Sequence, residues 1–143
     1  MAFSAKTEYG LVALIDLAAA YATGELLQTG EICRRHGMPE RYLEQMLTAL
    51  RKGGYLSSIR GPRGGFQLVR SPEQITIAEV EQCLEGETRM ERQGDRENAE
   101  FRVLDGLVRR AEQARDAVLR STTLAHLRQE RDNLLQPSPM FYI

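Results

Sequence analysis

Two arginines three residues apart, Arg60 and Arg63, stand in the run RGPRGG, with the apolar-rich LSSI before it and FQLV after it. Gly64 and Gly65 permit positive φ, while Pro62 fixes its own φ and removes a backbone donor. A loop of this kind holds a narrow tip from which both guanidinium groups project. A guanidinium fork pairs with phosphate oxygens or base edges, and a thin tip fits the minor groove or the sugar-phosphate edge of a duplex. Taken alone, the run is equally a hairpin loop with two solvated arginines. A nucleotide-phosphate loop is excluded: neither G-x-G-x-x-G nor G-x-x-x-x-G-K-[ST] occurs, and the loop leads from strand to strand rather than into a helix.

A second set of side chains lies just upstream, in PERYLEQMLTALRKGG. Leu43, Met46, Leu47 and Leu50 recur at helical spacing and face a core. Glu40, Arg41, Glu44, Gln45 and Thr48 take the other side, with Tyr42 at the border. Arg41 can read guanine, Gln45 can read adenine, and Glu44 can accept from cytosine N4. Mixed charge is also what an ordinary solvated helix face carries, so position in a motif has to decide. Lys6, Thr7 and Thr29 stand at helix starts, where they suit phosphate anchors that set register without reading sequence.

The elements that would position these groups follow from caps and periodicity. Ser4 caps a helix running through Ala22 that is apolar on most sides and therefore buried on several. Thr29 caps a short helix, TGEICRRHG, in which Glu31 complements the dipole and Gly37 ends the run. Pro39 suits the first turn of the third helix, and Gly53-Gly54 terminates it. Short helix, tight turn, amphipathic helix is the helix-turn-helix pattern. The two short strands and their arginine loop then form the wing of a winged helix. Thr76 and Glu79 match a capping box that starts a fourth helix.

Residues 86–98 are almost wholly polar and read as a flexible loop. A long helix is expected from Ala99 to Arg120. Its apolar positions are Phe101, Leu104, Leu107, Val108, Ala111, Ala114, Val118 and Leu119. That stripe exceeds what the preceding domain needs for its own core, so it reads as a dimerisation helix. Thr122 or Thr123 caps a last short helix, and the tail QPSPMFYI ends in apolar residues suited to docking on a neighbour. The predicted fold class is mainly α. A winged helix-turn-helix domain spans 1–85, a flexible loop 86–98, and a dimerisation helix, short final helix and tail 99–143. Two-fold pairing would set two third helices on successive major-groove faces about 34 Å apart, over an imperfect palindrome.

Charge distribution agrees with a local polyanion contact. The 143-residue chain has net charge −1, yet residues 34–70 carry eight Lys/Arg against two Asp/Glu. No apolar run approaches the roughly 20 residues of a membrane span. The N-terminus lacks the basic start and cleavage site of a signal peptide, so a cytoplasmic location is expected. Cys33 and Cys83 then read as two free thiols rather than a disulfide. No metal-binding H-E-x-x-H or nucleophile elbow occurs, and the two histidines lie ninety residues apart, which argues against an enzyme.

Three strings, SAKTEYGLVALIDLA, RYLEQMLTALRKGGYLSSIRGPRGGFQL and ITIAEVEQCLE, resemble the Rrf2 family of bacterial winged-helix regulators, which includes iron–sulfur cluster regulators. The resemblance covers about residues 1–85 strongly and 99–133 by layout. It implies a homodimeric transcriptional regulator of double-stranded DNA, its third helix in the major groove and its wing in the minor groove. Carried over, it points to Arg41, Tyr42, Glu44 and Gln45 on the helix and to Arg60, Gly61, Pro62 and Arg63 on the wing. Cluster-binding members resemble one another in three closely spaced cysteines in the loop before the long helix; here GETRMERQGDRENAE has none. Glu8 matches a position where some relatives supply an acidic ligand, and His36 is not far off in sequence, so a cluster with non-standard ligands stays an alternative. The simpler readings make Cys33 and Cys83 small buried apolar residues, His36 a helix-end cation and Glu8 a surface acid. The expected function is a repressor without cofactor, its signal arriving by a small ligand, a thiol change or a partner protein. The alternatives are a cluster-dependent redox sensor and a winged helix that binds protein instead of DNA.

Overall fold

The computed structural model describes residues 3–86 and 93–136. Six helices and one hairpin follow in the order α1 (Ala5–Tyr21), α2 (Thr29–His36), α3 (Glu40–Lys52), β1 (Leu56–Ile59), β2 (Gly65–Leu68), α4 (Ile77–Glu85), α5 (Ala99–Ser121) and α6 (Leu124–Leu135), with a short 3₁₀ turn at Pro72–Gln74 before α4. Residues 87–92 of the expected flexible loop, and the tail from residue 137, lie outside the described residues.

Local chemistry accounts for most helix starts. The Ser4 side chain accepts from Thr7 N–H and caps α1. Thr76 and Glu79 make the expected reciprocal capping box on α4. Asn98 caps α5 by accepting from Phe101 N–H, and Thr123 with His126 forms a second box on α6. Thr29 does not cap α2. It is the first helical residue, and the cap position falls to Gln28, whose side chain makes no capping bond. Pro39 likewise sits at the cap of α3 rather than within its first turn. Its extended backbone suits that position.

Leu14, Leu17, Ile32, Leu43, Leu47, Leu50, Ile75, Val80 and Leu124 are each under 2% exposed and form one core. Burying a leucine or isoleucine this fully stabilises the fold by roughly 1.5–3 kcal/mol before entropy is counted. Central α1 packs against α3, α4, α6 and β2. Leu124 brings α6 back into the core built by the winged-helix elements, and a bridge between Thr76 and Thr123 ties the α5–α6 joint to the start of α4.

The hairpin is antiparallel, with Leu56 opposite Leu68 and Ile59 opposite Gly65. Leu27, just before α2, makes a single antiparallel bridge to the hairpin: its N–H donates to Phe66 C=O at 3.0 Å and its C=O accepts from Phe66 N–H at 2.7 Å. The wing is therefore stitched to the helix-turn-helix at its base.

Candidate nucleic-acid interface

Arg60, Gly61, Pro62 and Arg63 all lie exposed at the tip of the hairpin. Neither arginine has an ion-pair partner among the described residues. The loop glycines divide the work differently from the sequence expectation. Positive φ falls on Gly61 (112°) and Gly65 (147°), not on Gly64. Gly64 is needed for space: a Cβ there would collide with the backbone carbonyl of Ile59. Gly61 C=O accepts from Gly64 N–H at 2.9 Å, which closes the tip.

On α3, Arg41, Glu44, Gln45, Thr48 and Lys52 line one open groove along the outer face, as the leucine spacing required. Glu40 is exposed at the first turn of the same helix. Tyr42 is half-buried and joins α3 to α1: Lys6 Nζ stands 5.3 Å from its ring centroid and the Arg41 guanidinium 5.1 Å. Arg41 Nη2 also donates to Tyr42 Oη at 3.2 Å. Packing thus gathers Lys6, Arg41 and Tyr42 into one cationic edge, and a cation over a ring face is held there by the ring quadrupole.

Thr7 does not join them. It is 1% exposed, and its Oγ1 accepts from Ser4 Oγ at 3.2 Å beneath the first turn of α1. The same capping that starts the helix turns this hydroxyl inward, so it cannot reach a phosphate. Thr29 is half-buried at the start of α2.

The long helix α5 carries two apolar faces where the sequence suggested one stripe. Phe101, Val108 and Leu119 are half-buried; Arg96 stacks 4.4 Å above the Phe101 ring and pairs with Asp105, and Arg115 pairs with Glu81 of α4. Leu104, Leu107, Ala111, Ala114 and Val118 lie on the other face, at spacings of three and four. Leu104 is 49%, Leu107 53% and Val118 61% exposed, and no residue of α5 is buried among the described residues of the chain. Val103, 76% exposed, flanks this face and escaped the sequence reading.

Three further groups were not legible beforehand. Asp16, 4% exposed, is met by Arg35, His36 and Arg131. Glu79 receives Tyr55 Oη at 3.1 Å and Arg70 Nη1 at 2.7 Å, tying the end of the wing to α4. Gln28 reaches the wing loop, donating to Pro62 C=O at 3.0 Å. In the sequence Asp16 stands as a lone carboxylate in an apolar run and Glu79 as half of a capping box, but neither position discloses these partners.

Cys33 is buried in the core beside Ile32, and burial pushes its thiol up, with Glu40 and Glu44 adding to the effect. Cys83 is half-buried on α4, its Sγ donating to Ala49 C=O at 3.5 Å, and burial raises it as well. Among the described residues, no three His, Cys, Asp or Glu side chains are grouped as a metal site. Nor is any described helix long and apolar enough to cross a membrane.

The sequence model of a family described as "Rrf2: Iron-dependent Transcriptional regulator" matches residues 3–130. The transcriptional regulator CymR of Bacillus subtilis is 36% identical over the whole of both chains. IscR of Cereibacter sphaeroides is 40% identical over 86 residues, which are 59% of this chain and 56% of that one, so the match spans little more than half of that relative. Among solved structures, IscR from T. potens superposes with a TM-score of 0.79 at 28% identity, covering 98% of this chain and 95% of its own. B. subtilis CymR does so with a TM-score of 0.73 at 33% identity, covering 90% and 96%.

Proposed function

The chain belongs to the Rrf2 family of transcriptional regulators, and from that membership we propose that it is a homodimeric repressor that grips a palindromic operator in double-stranded DNA. The observation that carries the reading is the pair of exposed arginines, Arg60 and Arg63, without an ion-pair partner among the described residues, at the tip of a wing bonded to the helix-turn-helix. In this reading α3 enters the major groove. Arg41, Glu44 and Gln45 face base edges there, with Glu40 beside them and Lys6 against the backbone. The wing enters the minor groove, where an arginine fork meets the sugar-phosphate edge. The heptad-spaced face of α5 pairs with its copy, because an apolar face left open along about 21 Å of helix needs cover. A dimer seated over a promoter excludes polymerase, which is repression in its simplest form. The signal arrives through a small ligand, a thiol change or a partner protein, in keeping with a cytoplasmic regulator.

The description of the family names iron, and the resemblance implies a cluster for its cysteine-rich members. The residues present do not fit one. A cluster needs several thiolates at close range, whereas the two thiols here stand on separate helices, one inside the core and the other half-buried, and burial disfavours the thiolate of both.

The test is selection of bound duplexes from a random-sequence pool, followed by titration with the variant R60A/R63A. Weaker binding and a salt slope lower by about one unit per lost phosphate contact support the reading. No duplex binding by the wild-type chain at low salt overturns it in favour of a protein-binding winged helix.

A further inference from the structure

The arginine tip is held by a side chain that belongs to another element. Gln28 occupies the cap position of α2, yet its amide does not cap that helix. Instead Nε2 donates to Pro62 C=O at 3.0 Å and, at 3.5 Å, to Gly64 C=O. A carboxamide nitrogen carries two hydrogens, one for each carbonyl. The Pro62 carbonyl belongs to the peptide that enters Arg63, and the Gly64 carbonyl to the peptide one residue beyond it. Directly beneath, Gly65 lets the loop approach the Leu27 carbonyl, where a Cβ would stand 2.7 Å away, and the Leu27–Phe66 bonds close the pair.

We propose that Gln28 is a positioning residue for the wing: by holding the carbonyls on either side of Arg63, it sets the direction in which that guanidinium leaves the tip. This rests on the reading of the chain as a DNA-binding regulator. The chemistry is specific to a neutral double donor. Alanine removes both bonds. Glutamate is nearly the same size but offers only acceptors to two carbonyl acceptors, so it repels the loop. Arginine pays a large entropy cost to sit still, and a loop that already points it into the groove reduces that cost. Wing and helix-turn-helix then meet the duplex as one surface, with the spacing between minor-groove and major-groove contacts built in.

The test is a double-mutant cycle on Q28A and R63A, read by fluorescence anisotropy on the duplex that the wild-type protein selects. Q28A is expected to weaken binding about five- to tenfold, in line with losing one exposed and one part-buried hydrogen bond at a positioned group. It should also lower the salt slope by about one unit although no charge is removed, because an arginine contact is lost with it. In the R63A background Q28A should cost less than about twofold, the signature of coupled residues. Q28E should match or exceed Q28A. Faster hydrogen exchange at the amides of Gly64 and Phe66, with an unchanged melting temperature, would place the effect in the loop.

An additive cycle overturns the proposal, since Gln28 would then touch DNA on its own account. Unchanged binding by Q28A with a sensitive R63A overturns it as well. If R63A itself binds as tightly as wild type, the wing reading fails, and this proposal with it.

Discussion

His36 Nε2 lies 2.6 Å from Oδ2 of Asp16, a carboxylate only 4% exposed in the middle of α1. Arg35 reaches the other oxygen at 3.3 Å, and Arg131 of α6 stands 3.9 Å from it. One buried charge thus receives the end of α2 and the middle of α6. A buried carboxylate is tolerated only when paired. Here the pairing fixes the first helix of the helix-turn-helix against α1.

Removing that carboxylate should loosen α2. D16A is expected to lower the free energy of unfolding by about 1–3 kcal/mol, less than for a fully buried pair because Arg35 and His36 can turn to solvent. Urea titration followed by far-ultraviolet circular dichroism measures it. An unchanged midpoint would mean that the pairing is incidental.

The open face of α5 makes a different prediction. Leu107 is 53% exposed within the protomer, so L107D should leave the fold intact while placing a charge in the proposed seam. Sedimentation should show a monomer, and operator binding should fall by well over tenfold, since one protomer reaches only one half-site. A dimeric L107D would move the interface elsewhere.

Acid should weaken the fold through two glutamates. Burial pushes Glu79 up, but bonds from Thr76 N–H, Arg70, Tyr55 and the Thr76 hydroxyl outweigh it and hold the carboxyl below the usual range. Glu85 is lowered chiefly by Ser4 N–H, then by the Thr7 hydroxyl. Both groups bind a proton less readily folded than unfolded. Their contribution is therefore complete above the ordinary glutamate value of about 4.3 and fades as pH falls through the depressed folded values. The variant E79Q/E85Q should show a flatter loss of stability from pH 5 downward than the wild type, in chemical denaturation across that window.

The buried thiol should be slow. Native protein is expected to take up iodoacetamide at Cys33 far more slowly than after unfolding, because the thiolate is the reactive form and burial disfavours it. Chelator treatment should leave operator affinity unchanged. Loss of binding on chelation would bring back the cluster alternative.

Much of this architecture is written within a few residues at a time. Ser4 and Thr7, Thr76 and Glu79, and Leu43 through Leu50 lie within a turn or two of helix, and the wing announces itself by Pro62 and its glycines. Caps, periodicity and turn chemistry act over such distances, so the helices, the hairpin and the outer face of α3 were determined by the sequence alone. Other features depend on which segments meet. Gln28 finds Pro62 from 34 positions away, and Asp16 finds Arg131 only once α6 returns to α1. The cap that starts α1 turns Thr7 inward and out of reach of a phosphate, which helix-start position alone could not disclose. The apolar residues of α5 separate into a packed face and an open one according to where Glu81 and the 93–98 segment lie against the helix. Polar partners across the chain, and the choice of which apolar side stays uncovered, follow from packing angles, and those were decided by the tertiary structure.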